Sequence, residues 1–341
     1  MRRYEIREPK GIGSIECVER EEPRPGPGQV LVEMKAWSLN YRDLGMPRGG
    51  YPGNDKVLRE PPLVPLSDGA GEVIEVGPSV RGFAPGDRVI GSFFQRWVDG
   101  ELGLEGRRSA LGGASDGVLA ERVVFSEEGL VAAPPSLSFE QAATLPCAGV
   151  TAWAALTLAP TRPGNNVLLM GTGGVSIFGL QLARAMGARV IITSSSAQKL
   201  ERARGLGADE VIDYHATPDW DQRVLALTGG VGVDHVLEVG GLGTLERAIR
   251  ATRPGGVISL IGVLSGSPEH NPSVMDVMFK SQTLRGIYVG SRRMLEELCR
   301  AVEVNGIVPV VDRVFGFGEV QDAYRHLKDG RHFGKIVISR R

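Results

Sequence analysis

The sequence predicts an α/β protein of two parts, a compact β-barrel or sandwich followed by a doubly wound parallel sheet. Three observations predict it. Residues 30–126 hold short alternating runs between Gly, Pro and Asp turns. From residue 166 onward, apolar strand-like runs alternate with helical stretches. The two textures meet at the glycine-rich stretch VLLMGTGGVSIFGLQLA, residues 167–183.

The length of 341 residues, with 23% charged and 42% hydrophobic side chains, fits about two globular domains. In QVLVEMKA, Val30, Val32, Met34 and Ala36 share one face of a strand and Leu31, Glu33 and Lys35 the other. The preceding EEPRPGPG reads as a turn. GAGEVIEVG, GDRVIGSFF and LAERVVF are further strands, and this spacing indicates a barrel or sandwich. Residues 91–117 are glycine-rich and weakly periodic and read as a long surface loop. FEQAATLPCAGVTAWAALTLA reads as a helix broken at Pro146.

Strands are then expected at 167–170, 190–193, 210–213, 236–239, 257–261 and 284–289, with helices in QKLERARGLG, DWDQRVLALTGG and GTLERAIRAT. Strict alternation implies a parallel sheet covered on both faces. The tail reads as helix (RRMLEELCRAVE), strand (VVDRVF), helix (EVQDAYRHLKDG) and a last strand, KIVIS, that can return to the first domain.

Charge excludes some partners. Thirty-nine basic and forty acidic residues nearly cancel without a basic stripe, so no nucleic-acid partner is expected. No apolar run reaches the length of a membrane span, and MRRYEIREPKG lacks the apolar core of a secretory signal. Cys17, Cys147 and Cys299 form neither a disulfide framework nor a C-x-x-C, which fits a reducing, cytoplasmic setting.

The GTGGVS turn carries the strongest chemical signal. It follows a strand and opens a helix, the context in which bare backbone N–H groups and a helix N-terminus hold a pyrophosphate. Gly171, Thr172, Gly173, Gly174 and Val175 are the expected contacts, and Ser176 replaces the usual third glycine. An NAD site places an acid about twenty residues on. Here no Asp or Glu occurs between Gly171 and Glu201, while Ser194, Ser195, Ser196 and Lys199 do. Hydroxyls and an ammonium suit a 2′-phosphate, so the expected cofactor is NADP(H). Tyr214 reaches the same side or simply packs, and Lys199 also reads as a solvated lysine at a helix start.

The order of GAGEV, GDRV, ATLPCAGVTAW, GTGGVS, GADEVIDY and GKIVI resembles the medium-chain dehydrogenase/reductase superfamily over nearly the whole chain, and within it the zinc-independent quinone oxidoreductase-like branch. The resemblance implies a GroES-like β-barrel catalytic domain over 1–134 and 291–341. It implies a Rossmann NADP(H)-binding domain over 135–290, an active-site cleft between them, and a dimer or tetramer. Zinc-dependent members use three cleft ligands. The corresponding places here are Asn40, Ser67 and Cys147, and all five histidines lie beyond residue 214, so no metal site is expected.

The resemblance places catalysis on Asn40, Asp43 and Tyr51, with Tyr41 and Asp68 as neighbours. An amide or a phenol can donate to a carbonyl oxygen. Asn40 and Asp43 equally read as a braced turn, and Tyr51 as a packing residue. The resemblance also assigns cofactor contacts to Thr151, Gly240, Gly262, Val263, Val289 and Gly290. The function so implied is hydride transfer from NADPH to a quinone, enone or carbonyl substrate. Two alternatives remain open, an alcohol dehydrogenase acting on small alcohols and a non-catalytic NADPH-binding sensor.

Overall fold

The computed structural model describes residues 1–49, 51, 62–264 and 272–340. The chain forms two compact units, one of residues 1–150 with 289–341 and one of 151–288. The segment 135–150 therefore packs with the first unit, although the sequence places a domain start at residue 135.

The first unit contains β1 (Arg2–Ile6), β2 (Ile15–Glu19), β3 (Gln29–Ser38), β4 (Asp68–Val76), β5 (Arg88–Gly91), β6 (Arg122–Ser126) and β7 (Leu130–Ala132). The second contains β8 (Asn166–Met170), β9 (Arg189–Ser194), β10 (Glu210–Asp213), β11 (Val233–Glu238), β12 (Thr252–Leu260) and β13 (Thr283–Gly286). After β13 the chain returns to the first unit as β14 (Val311–Gly316) and β15 (Lys335–Ser339).

The larger sheet of the first unit runs β14-β15-β3-β4-β5-β7, with β6 also on β3. The last strand thus sits beside β3, antiparallel, with Val337 opposite Ser38. Alternation drives this sheet: Val30, Val32, Met34 and Trp37 are buried while Glu33 and Lys35 are half-exposed. Trp37 donates its indole N–H to the Val118 carbonyl (2.5 Å), and its ring meets Phe317 at 4.8 Å. Tyr4 donates its hydroxyl to the Phe317 carbonyl (2.7 Å), so the buried polar tips of both aromatics are met.

Residues 91–117 depart from the surface loop expected. Phe93 and Phe94 are each 1% exposed, Ala110 and Leu111 are buried, and a short helix covers Leu104–Arg108. Irregular spacing of these apolar residues hid the burial, because a non-periodic segment packs without leaving a pattern. The segment around Pro146 is a short helix (Phe139–Ala142), a wide turn at Leu145–Gly149 and a helix at Val150–Leu158.

In the second unit the sheet order is β10-β9-β8-β11-β12-β13, all parallel. Order reverses beside β8, which puts the switch point of a doubly wound sheet at the carboxyl end of that strand. Leu168, Ile191, Val236 and Ile258 fill the centre of the sheet with no more than 1% exposure. Helices at Gly174–Ala185, Ala197–Gly205, Trp220–Leu227 and Leu242–Ala251 connect the strands. A helix at Val274–Phe279 was not legible, since its apolar residues are mostly exposed. β13 ends at Gly286, so Ile287, Tyr288 and Val289 lie beyond the strand expected at 284–289. Among the described residues, no helix is long and apolar enough to cross a membrane.

One lysine closes a helix here. Lys280 Nζ donates to the carbonyls of Ile249, Arg250 and Thr252 at 2.9–3.1 Å, at the end of the Leu242–Ala251 helix. Three charge-assisted bonds meet carbonyls that lack intrahelical partners, at the negative end of the helix dipole. Lys280→Met is expected to lower the urea-unfolding free energy by about 2 kcal/mol with the slope unchanged. A loss within experimental error would assign the closure to the buried Gln282 amide, which also donates to the Ile249 and Thr252 carbonyls.

Candidate active site

In the first unit, β3 ends at Ser38 and the chain turns through Leu39 and Asn40 into a 3-10 helix at Tyr41–Leu44. Asn40 has extended backbone and caps that helix. The Asp43 Oδ2 accepts the Asn40 backbone N–H at 2.7 Å, and the Asp43 N–H donates to the Asn40 carbonyl at 2.9 Å. This reciprocal pair is what the N-x-x-D spacing provides. Asp43 is fully buried and spent on the turn, and it holds Asn40 in place.

Strand register brings two more elements to the same point. Ser38 lies opposite Asp68, the first residue of β4. Val337 lies opposite Ser38 on the other side, so Lys335 at the head of β15 falls opposite Asn40. Lys335 is 3% exposed, and its Nζ donates to the Leu39 carbonyl (2.6 Å) and to Asn40 Oδ1 (2.5 Å). The same ammonium stands 4.0 Å from Asp68 Oδ2. Ser67 donates its hydroxyl to Asp68 Oδ1 at 2.6 Å. Asn40 Nδ2, Asp43 Oδ1 and Asp68 Oδ2 are buried without a hydrogen bond of standard geometry.

Burial pushes the Asp43 carboxyl up to about 6, against the attraction of Arg42. Burial also raises the Asp68 carboxyl, opposed by Lys335, the Ser67 hydroxyl and the Asn40 amide. Cys147 feels Asp68 and Lys335 as well; burial, then the Asp68 charge, drives its thiol far above the ordinary range. Arg42, buried, lies over the Phe93 ring (4.2 Å) and donates to the Leu111 carbonyl. Tyr51 is half-buried and packs against the barrel core, whereas Tyr41 is 51% exposed.

The structure therefore brings Asn40, Asp43, Ser67 and Asp68 into one buried polar centre, with the half-buried Cys147 close enough to feel the charges of Asp68 and Lys335. Sequence reasoning does not single out its hub, Lys335. The only signal is a lysine heading the otherwise apolar run Ile336–Ile338. The donor set suits zinc poorly. An amide and a hydroxyl stand at two of the three ligand places, with an ammonium already on the amide oxygen, and only Cys147 keeps a zinc-ligand type at the third. Among the described residues, no group of three His, Cys, Asp or Glu side chains could hold a metal ion.

In the second unit, the turn after β8 leads into the twelve-residue helix Gly174–Ala185. Gly171 has φ +73, a left-handed conformation that favours glycine. Gly173 precedes the helix without a side-chain cap, and a Cβ built on it meets nothing within 4 Å. The space beside Gly173 at the helix start fits a pyrophosphate, while the Gly171 N–H donates to the Thr193 hydroxyl at 3.3 Å. Thr172 is buried, and Gly174 and Val175 open the helix. Ser176, at the usual third glycine, donates its hydroxyl to the Met170 carbonyl (2.7 Å) and so tethers helix to strand. Thr151 is buried on the helix Val150–Leu158.

Ser194 ends β9 and pairs with Asp213, the last residue of β10. The Tyr214 N–H donates to the Ser194 carbonyl at 3.1 Å, which brings Tyr214 beside the serines. Ser195 is exposed, and Lys199 is half-buried on the helix that Ser196 caps. Asp213 spends Oδ1 on the N–H groups of His215 and Ala216. Gly240 and Gly241 donate N–H bonds to Glu238 Oε1 at 2.6 and 2.9 Å. Gly262 packs so closely that a Cβ would stand 1.9 Å from the Val239 carbonyl, and Val263 beside it is exposed. Val289 is buried with φ +62, a strained conformation for a β-branched residue, and Gly290 packs on Val150.

Comparison with known proteins places this geometry. Residues 26–135 match the alcohol dehydrogenase GroES-like domain, and residues 174–303 match the zinc-binding dehydrogenase family. The chain belongs to the medium-chain dehydrogenase/reductase superfamily. As a member it is an NAD(P)-dependent oxidoreductase, with a GroES-like unit and a Rossmann unit. It is 44% identical over 335 residues to a zinc-type alcohol dehydrogenase-like protein of Schizosaccharomyces pombe, covering 96% of each chain. A solved NAD-dependent alcohol dehydrogenase superposes with TM-score 0.90 at 37% identity, covering 99% of each chain. A quinone oxidoreductase from Coxiella burnetii superposes with TM-score 0.81 at 25% identity, covering 100% of this chain and 99% of its own.

The raised pKa of Asp43 has a measurable consequence. Its neutral form is favoured by folding, so the penalty is absent below pH 3.8, grows up to about 6 and is constant above. Asp43→Asn keeps an acceptor for the Asn40 N–H and removes the titration. The variant should gain on the parent by about 3 kcal/mol in unfolding free energy between pH 4 and 7. A difference independent of pH would mean that Asp43 ionises normally.

Proposed function

We propose that this medium-chain dehydrogenase/reductase member is a zinc-independent, NADPH-preferring oxidoreductase that reduces a quinone, enone or carbonyl substrate. One observation carries the reading. The buried centre of the first unit offers an amide donor fixed by an ammonium, and among the described residues no group of three His, Cys, Asp or Glu side chains could hold a metal ion. Without a metal, a substrate carbonyl must be polarised by hydrogen-bond donors, and Asn40 Nδ2 is a buried donor with no standard bond of its own. Asp43 holds the Asn40 backbone, and Tyr51 is the second candidate donor.

Bound NADPH supplies a hydride from its nicotinamide ring. The chain's own part is to bind and orient. The N–H groups at Thr172, Gly173, Gly174 and Val175 would meet the pyrophosphate, with Gly171 shaping the turn through its left-handed backbone. Ser194, Ser195, Lys199 and Tyr214 would meet a 2′-phosphate, and Asp213 at the end of the neighbouring strand turns its Oδ1 to the His215 and Ala216 N–H groups. Thr151, Gly240, Gly262, Val263, Val289 and Gly290 are assigned to the nicotinamide side. A homodimer through the exposed edge of β13 belongs to the same reading, supported by exposed Val274, Met278 and Phe279 on the nearby helix.

A second reading, an alcohol dehydrogenase working on small alcohols, is favoured by the NAD-dependent alcohol dehydrogenase that superposes on this chain. Steady-state assays with 1,4-benzoquinone, but-3-en-2-one and crotonaldehyde, against ethanol and propan-2-ol with oxidised cofactor, separate the two. NADPH should exceed NADH in kcat/KM by at least about tenfold, the worth of one charge-assisted contact. Preference for NADH, or turnover of the alcohols alone, overturns the proposal. Gly173→Ala should weaken NADPH binding by at least about 100-fold by filling the phosphate space, with the unfolding temperature unchanged. Unchanged NADPH affinity would remove the phosphate from this turn.

A further inference from the structure

We propose that Lys335 is a positioning residue for the reaction, holding the Asn40 amide so that its nitrogen, rather than its oxygen, is the group presented to the substrate. The inference rests on the reading of Asn40 as the carbonyl-polarising donor.

An asparagine amide has two faces of opposite character, one accepting and one donating, and nothing in the side chain itself selects between them. An ammonium has three donors and no acceptor. Lys335 Nζ lies 2.5 Å from the Asn40 amide atom assigned as Oδ1, and that atom must be the oxygen, because a nitrogen there would set donor against donor. The opposite face is then Nδ2 by elimination. That Nδ2 is buried and makes no hydrogen bond of standard geometry.

The lysine is itself held. It donates to the Leu39 carbonyl at 2.6 Å and faces Asp68 Oδ2 at 4.0 Å. It heads β15, whose register on β3 is fixed from Val337 to Ser339. Asn40 is held at its backbone by Asp43. Backbone and amide are thus fixed by two different partners, and the donor needs no rearrangement as charge develops on a substrate oxygen.

The test is a double-mutant cycle with Asn40→Ala, Lys335→Met and the double variant. It is read as kcat and KM for NADPH oxidation by 1,4-benzoquinone and but-3-en-2-one, with NADPH affinity from fluorescence titration. Asn40→Ala should lower kcat by about 100-fold, as loss of one oxyanion donor does. Lys335→Met should lower kcat by at least about tenfold with NADPH affinity unchanged, and the double variant should fall within about threefold of Asn40→Ala alone. Multiplying losses, or Lys335→Met close to the parent in kcat, overturns the role of Lys335. A near-parental Asn40→Ala overturns the underlying reading instead. If Lys335→Met does not fold, the same cycle is run with Asp68→Asn added, which removes the stranded carboxylate.

Discussion

Lys335 carries a charge with almost no solvent around it, and a buried ammonium is costly unless its protons are met. Here the Leu39 carbonyl and the Asn40 amide oxygen take two of them, and the Asp68 carboxylate balances the charge. Three strands converge on this point: β15 brings the lysine, β3 ends in the turn that holds Asn40, and β4 begins with Asp68. The last strand reaches the first unit after the whole of the second unit has been traversed. The polar centre therefore forms only when the two ends of the chain have met, and it ties catalysis in the proposed reading to completion of the barrel sheet.

The second unit meets a different constraint. Its sheet is buried on both faces, so its strands are apolar throughout and its chemistry sits at strand ends. Ser176 shows how the fold absorbs a departure from the usual glycine pattern. A side chain at that position costs space, and its hydroxyl recovers part of the cost by bonding the Met170 carbonyl across the turn. The close approach at Gly262 lies just beyond β12, and the strained backbone at Val289 lies beyond β13, where the chain re-enters the first unit. Both stretches are assigned to the nicotinamide in the proposed reading.

Much of the fold was legible because burial left periodic traces. The alternation of Val30, Val32, Met34 and Ala36 marked β3, and the strand–helix rhythm after residue 166 marked the parallel sheet. Where burial is aperiodic the trace vanished, as at Phe93 and Phe94 in the segment read as a surface loop. The site was legible in the same uneven way. Asn40 and Asp43 announced a braced turn through local spacing, which the hydrogen bonds between them match. Lys335 did not, because its partners lie nearly 300 residues away and are supplied by strand register, which a local pattern does not carry.

In the proposed reading an ammonium and an amide, rather than a metal, organise the reacting end of the first unit. The most direct measurement is the metal content of the full chain, purified without added zinc and assayed before and after dialysis against a strong chelator. Less than about one tenth of a zinc per chain and unchanged NADPH oxidation after chelation are expected, since among the described residues no group of three His, Cys, Asp or Glu side chains could hold a metal ion. One zinc per chain, with activity lost on its removal and restored on its return, would contradict that reading.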